Sequence, residues 1–193
     1  MTRTFFIIIF AVLSAILIGS CKTDDDLDCP DGYIQVDGEC VPVQHVMTTV
    51  ILKLTNDSTG NETEFEFSDI DGIGGNDPVV DTVFLDTSAS YNNAIEVWDE
   101  SSDPVENLTS HIDEYADIHQ FFFNIDNTLN LTVNYNDEDA NGWPVGLATI
   151  YITGGESTGN LNIVLKHQVN GKDGNQSTGN TDIDVTFPVV ISH

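Results

Sequence analysis

The chain has 193 residues, with 32 acidic and 5 basic side chains and a formal net charge of −27. This length is sufficient for one domain with a hydrophobic core and a short additional segment. A surface this negative repels phosphate backbones, so we expect no nucleic-acid binding, whereas it favours solubility and attracts divalent cations.

The N-terminus carries the features of an export signal. Arg3 precedes residues 5–18, which are apolar apart from Ser14. This segment is long enough for the core of a signal peptide and shorter than the ~20 residues of a membrane-spanning helix. It ends in the sequence IGSC at 18–21, which resembles the lipobox of bacterial lipoproteins. We predict that residues 1–20 are a signal peptide and that Cys21 carries a lipid. The alternative is an ordinary secretory signal that ends near a cysteine.

Residues 21–44 form a predicted tether. Lys22 and the acidic residues 24–26 resemble the signal that sends lipoproteins of the Bacteroidota to the outer face of the outer membrane; the alternative is a solvated spacer. Cys29 and Cys40 are the remaining two cysteines, and in an oxidising compartment we expect them to form a disulfide. Asp37-Gly38 lies between two short apolar segments and is typical of a tight hairpin turn. The tether is therefore predicted to contain a disulfide-bonded hairpin.

Residues 45–193 are dominated by alternation of apolar and polar side chains, the pattern of strands with one buried face. About nine strands are predicted in this domain, at 46–54, 65–67, 82–85, 94–98, 120–125, 129–135, 147–153, 161–165 and 183–187. Clusters of Gly, Asn, Asp and Ser separate them. We predict an all-β fold, an antiparallel β-sandwich of immunoglobulin-like or jelly-roll type.

One segment has helical spacing instead. Asp103-Pro104 suits a helix start, and Val105, Leu108, Ile112 and Tyr115 recur at intervals of three or four residues. We therefore predict a single helix of about three turns over 104–118, crossing between the two sheets.

Two acidic loops are candidates for a calcium site. Asp137, Asp139 and Asn141, followed by Gly142, match the first half of a calcium-binding loop, but position twelve of the motif is an alanine. A second acidic, glycine-rich loop with Asp69, Asp71 and Asp77 would supply the missing carboxylates if the fold brings it beside Asp137; the alternative for this loop is a flexible surface loop. The alternative interpretation is a hairpin turn that uses the same residues for conformational reasons.

A second cation hypothesis concerns the histidines. His111, Glu114 and His119 belong to one acidic segment, and His167 lies on a later predicted strand. A transition metal would require His119 or His167 to converge with His111. The alternative is that these side chains are solvated or hydrogen-bonded.

Segments beginning MTTVILKLTN, DIDGIGGNDPVVD and ENLTSHIDEYADIHQFFF, together with YNDEDANGWPVGL and TDIDVTF, resemble a family of short Bacteroidota surface lipoproteins. The resemblance covers about residues 46–191. Members often carry a "type 1 periplasmic binding fold" label, which disagrees with the strand-rich pattern. Such proteins tend to be encoded beside TonB-dependent receptors, so the resemblance implies a role in outer-membrane uptake. It implies no catalytic residues.

The leading hypothesis is a non-enzymatic lipoprotein on the cell surface that binds a ligand or assists an outer-membrane transporter. A second hypothesis is a calcium-stabilised structural or adhesion module. A third is a glycan hydrolase that uses two of the many carboxylates. The sequence has no spare cysteine and no complete metal motif, so we predict that the protein is not an enzyme.

Overall fold

A computed structural model describes residues 33–36, 39–42, 46–72 and 75–193 of the chain. The chain divides into two compact units, Met1–Gln44 and His45–His193. In the first unit, β1 (Tyr33–Val36) and β2 (Glu39–Pro42) pair antiparallel, as expected for the predicted hairpin.

The second unit contains two sheets. The larger sheet consists of β3 (Thr49–Asn56), β4 (Glu62–Ser68), β5 (Val79–Val80), β7 (Ser90–Asp99), β8 (Glu106–Asn107), β10 (Leu131–Tyr135) and β11 (Ala148–Thr153). Its strand order is β10-β11-β7-β3-β4-β5, and β8 pairs with β7. The smaller sheet consists of β6 (Val83–Asp86), β9 (His119–Ile125), β12 (Ser157–His167) and β13 (Asn180–Ser192), in the order β6-β13-β12-β9. Described pairs are antiparallel except β6 with β13, which is parallel.

Period-two alternation explains why the two sheets pack against each other. Val50, Leu52 and Leu54 of β3 are buried on one face of the larger sheet, and alternate residues of β12 and β13 are buried on the smaller one. These residues belong to a single hydrophobic core, in which the ring of Phe67 meets that of Phe187 edge-on at 6.5 Å. Removing such side chains from water contributes about 1.5–3 kcal/mol each. The predicted all-β antiparallel sandwich with one short helix is confirmed.

The predicted helix is wrong in its extent. The observed helix, α1, covers only Thr109–Glu114, and Tyr115 already has non-helical backbone angles. The preceding segment is extended because Glu106–Asn107 pairs with the end of β7 as strand β8. Leu108 and Ile112 are fully buried, as their spacing predicted, whereas Val105 is 52% exposed. The pairing with β7 therefore outweighs the helical pattern at its N-terminal end.

Strands β5 and β8 have two residues each and were not predicted, since so short a segment shows no period. Within the described residues, no helix combines the length and apolar character that a membrane span requires.

Candidate metal centre

Three neighbouring strands of the smaller sheet bring two histidines and one aspartate together. His119 is the first residue of β9, His167 is the last residue of β12, and the two are cross-strand partners. Both follow the inward alternation of their strands, since Phe121 and Leu165, two residues away, are fully buried. The two imidazole rings are stacked, with centroids 4.6 Å apart.

A β-bulge on the third strand supplies the carboxylate. Leu165 of β12 lies opposite Ile183, but Lys166 lies opposite Thr181, so Asp182 is the extra residue of β13. In a regular strand Asp182 would point to the same face as Asp184, away from buried Ile183. A bulge re-aims side chains. Here Oδ2 of Asp182 lies 3.8 Å from Nε2 of His119 and 3.8 Å from Nδ1 of His167.

These three side chains have the composition and spacing of a transition-metal site. Each of His119, His167 and Asp182 offers one ligand atom, and all three atoms lie within 4.8 Å of one another. Ligands at zinc distances of 2.0–2.1 Å in tetrahedral geometry are about 3.3 Å apart. The two 3.8 Å separations would have to shorten by about 0.5 Å, and the stacked rings would have to rotate, because the lone pair of each ring nitrogen lies in the ring plane. Among residues 46–72 and 75–193, together with the described hairpin, this is the one such group of three His, Cys, Asp or Glu side chains.

The protonation state of His119 suits a metal ligand. Its Nδ1 lies 2.9 Å from the carbonyl oxygen of Tyr115. A carbonyl only accepts, so Nδ1 carries the hydrogen, and in the neutral ring the Nε2 lone pair is on the side of Asp182. A metal-binding histidine usually makes such a bond through its other nitrogen. Burial lowers the pKa of His119 to about 4, so the ring is neutral at neutral pH.

The loop between β12 and β13 holds the side chains of His167 and Asp182 in place. The backbone N–H of Gln168 donates to the Ile118 carbonyl, and its side-chain amide donates to the carbonyls of Asn175 and Thr178. Gly179 has a φ of +80°, and a Cβ there would lie 2.3 Å from the His167 carbonyl oxygen. His167 and Asp182 keep 25% and 23% of their side-chain surface exposed. The cluster is therefore accessible from solvent on one side.

The structure distinguishes among the histidine candidates. His119 and His167 converge, but with Asp182 as the third member, and no sequence motif marked this aspartate. His111 lies nearby on α1, with its ring centroid 6.2 Å from that of His119 and 4.7 Å from that of Tyr115. Glu114 is exposed and does not belong to the cluster.

The predicted calcium loop has a different structure, and the calcium prediction for it is not supported. Both carboxylate oxygens of Asp137 accept backbone hydrogen bonds, from Gly146 at 2.7 Å and Ala148 at 2.8 Å. Oδ1 of Asp139 accepts from the N–H groups of Asn141 and Trp143. Its Oδ2 lies 3.1 Å from Nζ of Lys172, and these two side chains are 1% and 0% exposed. The cation beside Asp139 is thus a lysine, and the hairpin-turn interpretation fits.

The second acidic loop is a separate feature. Asp69, Asp71 and Asp77 line a cavity of about 260 Å³, and a carboxylate oxygen of Asp71 accepts the backbone N–H of Asn76 at 3.0 Å. In the part of the chain that the structure describes, these aspartates do not join Asp137 in a metal-binding group.

The cysteine predictions concern the first unit. Cys21 and Cys29 lie outside the described residues. Cys40 is disulfide-bonded, but because Cys29 is not described, the pairing of the two stays a prediction.

Comparisons with known proteins identify no family for this chain. No protein-family model matches the sequence, and no curated protein matches it. One solved structure is similar, that of the S-layer protein SbsC, domains 4 and 5, at 10% sequence identity over 83% of this chain and 89% of that chain. Its TM-score is 0.29, so the likeness carries no argument about function.

Proposed function

We propose that this protein is an exported, lipid-anchored binding module whose ligand is a divalent transition-metal cation. The observation that carries the proposal is the convergence of His119, His167 and Asp182 at the edge of one sheet. The export signal and Cys21, read from the sequence, support a location on the outer membrane at the cell surface. Residues 155–159 match G-x-S-x-G, but Ser157 begins strand β12 rather than a strand-to-helix turn, which favours binding over catalysis.

The donor set determines the class of cation. Two imidazole nitrogens and one carboxylate oxygen suit zinc, cobalt, nickel or copper, whereas calcium and magnesium prefer oxygen ligands alone. The net charge of −27 raises the local concentration of all divalent cations, so charge alone does not discriminate among them. Selectivity for a transition metal is therefore the specific expectation of this site.

The test is a titration of the purified mature protein, stripped of metal, with Co²⁺ and Zn²⁺. We expect one ion per chain and a visible Co²⁺ spectrum that Zn²⁺ abolishes. Metal at 100 times its Kd would add about 2.7 kcal/mol of stability, a rise of roughly 5–10 °C in Tm for a domain of this size. Calcium and magnesium at the same concentration should leave both the spectrum and the Tm unchanged.

Matched variants locate the site. Asp182→Asn and His167→Ala should each weaken Co²⁺ binding by at least roughly 10–100-fold. This is the usual effect of removing a residue that only supports a ligand, and loss of a ligand itself should cost no less. Asp184→Asn is the control for the aspartate, since Asp184 lies on the same strand and bonds outward to Asn162. His193→Ala is the control for the histidine. Equal affinity in Asp182→Asn and Asp184→Asn would contradict the proposal.

A further inference from the structure

We propose that His111 is the fourth ligand of this metal centre, supplied by helix α1 from outside the sheet. This inference rests on the proposed function, because it completes the coordination of the same cation. Structural zinc sites have four protein ligands, whereas a site with three leaves one position to water or another molecule. His119, His167 and Asp182 account for three, so the origin of the fourth decides how firmly the metal is held.

Ring separations place His111 within reach. A metal bound to an imidazole nitrogen at 2.0–2.1 Å lies about 3.2 Å from the ring centre, so two rings on one tetrahedral ion have centres about 5 Å apart. The observed separations lie on either side of this value. They are 4.6 Å between His119 and His167 and 6.2 Å between His111 and His119. A shift of about 1 Å by the His111 ring, together with rotation of the stacked His119 and His167 rings, would bring the three ring centres to the separation of ligands on one ion.

Backbone hydrogen bonds connect His111 to the site. The N–H of Tyr115 donates to the carbonyl oxygen of His111 at 3.1 Å, and the carbonyl of Tyr115 accepts the Nδ1 hydrogen of His119. The backbone of Tyr115 thus connects the helix turn that carries His111 to the ring of His119. The helix itself is anchored by Leu108 and Ile112, which are both fully buried. His111 is held near the cluster although it lies on a different element from the other ligands.

The members of the cluster differ in their exposure to solvent. His119 is buried, whereas His167 and Asp182 retain about a quarter of their side-chain exposure. His111 is half-buried and its ring lies against that of Tyr115, so a movement of the imidazole toward the ion would alter this contact but not the hydrophobic core. Binding would then join α1, β9, β12 and β13 through one ion. We expect a cation bound by four protein ligands to exchange more slowly than one that keeps a water molecule.

The experiment compares mature wild-type protein with His111→Ala and with the control His193→Ala, each loaded with Zn²⁺ or Co²⁺. X-ray absorption at the zinc edge counts the imidazole ligands directly. We expect three imidazoles in the wild type and in His193→Ala, and two in His111→Ala. The Co²⁺ affinity of His111→Ala should fall about tenfold or more, with one ion still bound per chain. The metal-free Tm should change little, because the side chain is half-buried.

The outcomes separate this inference from the proposed function. Two imidazoles in the wild type, with an unchanged Co²⁺ affinity in His111→Ala, would overturn the role of His111 and leave the three-ligand site standing. If wild-type protein binds neither Zn²⁺ nor Co²⁺, both proposals fail. If His111→Ala also alters the metal-free Tm, His111→Gln provides a larger polar replacement. The number of imidazole ligands then decides between coordination with His111 and coordination without it.

Discussion

The ion pair between Lys172 and Asp139 makes a quantitative prediction about stability. Nζ of Lys172 lies 3.1 Å from Oδ2 of Asp139 and donates a hydrogen bond to the Pro144 carbonyl at 2.8 Å. Lys172→Met would leave the Asp139 carboxylate buried without its counter-ion. Breaking a buried pair in this way typically costs 3–5 kcal/mol. Because Asp139 keeps two backbone N–H donors, we expect the lower end, about 3 kcal/mol.

The measurement is urea unfolding of the mature protein, supported by the Tm. A loss of about 3 kcal/mol corresponds to roughly 6–12 °C in Tm for a domain of this size. The control is Lys53→Met. Lys53 also contacts two carboxylates, Glu96 at 2.7 Å and Glu64 at 3.2 Å, but its side chain is 27% exposed. Solvated pairs contribute about 0–1 kcal/mol. If Lys172→Met destabilises the protein no more than Lys53→Met, the buried pair does not support the loop as we argue.

The pH dependence of the same pair has a definite sign. Burial raises the pKa of Asp139, but hydrogen bonds from Trp143 and Asn141 and the nearby Lys172 outweigh it, so the net pKa is lowered. A carboxyl whose pKa is lower in the folded state stabilises the fold at a pH above its unfolded pKa, about 3.9 for aspartate. That stability is lost as the pH falls through the folded pKa. The contribution of Asp139 to the stability of the wild type should therefore be complete at pH 7 and be lost below about pH 4 in urea unfolding.

Three further predictions concern two tyrosines and the three cysteines. Tyr151→Phe should raise the free energy of unfolding by about 1 kcal/mol, because the Tyr151 hydroxyl is buried and bonds to no described group. Tyr135→Phe should lower it by about 1 kcal/mol, because the Tyr135 hydroxyl donates to the Phe121 carbonyl at 2.7 Å. Urea midpoints of the two variants should move in opposite directions, and a loss in both would refute this. Cys21→Ala should prevent incorporation of labelled palmitate and release the protein from the outer membrane. Peptide mapping without reduction should recover Cys29 linked to Cys40, and free thiols at both positions would disprove the pairing.

Much of the fold followed from local patterns. Alternation along 161–165 and 183–187 places every second side chain on one face whatever the neighbouring strand is, so the buried residues of β12 and β13 were predictable. The helix boundary was not, because the segment before Leu108 forms hydrogen bonds with β7, which is distant in the sequence until the chain has folded. The structure of the loop with the calcium motif was not predictable for a similar reason. Lys172 is distant from Asp139 in the sequence, and no local spacing predicts that its ammonium group will lie beside that carboxylate.

The sequence alone determined the all-β class of this protein, its acidic character and the choice of His119 and His167 as candidate metal ligands. Strand period, charge and residue type are local properties that can be read without a structure. Only the tertiary structure decided that these histidines share a site with Asp182. Strand alternation assigns Asp182 to the outer face with Asp184, and the bulge opposite Leu165 and Lys166 reverses that assignment. A bulge depends on how two strands pair, which involves hydrogen bonds between distant segments. The place of Asp182 in this cluster was therefore not predictable until the register of β12 and β13 was known.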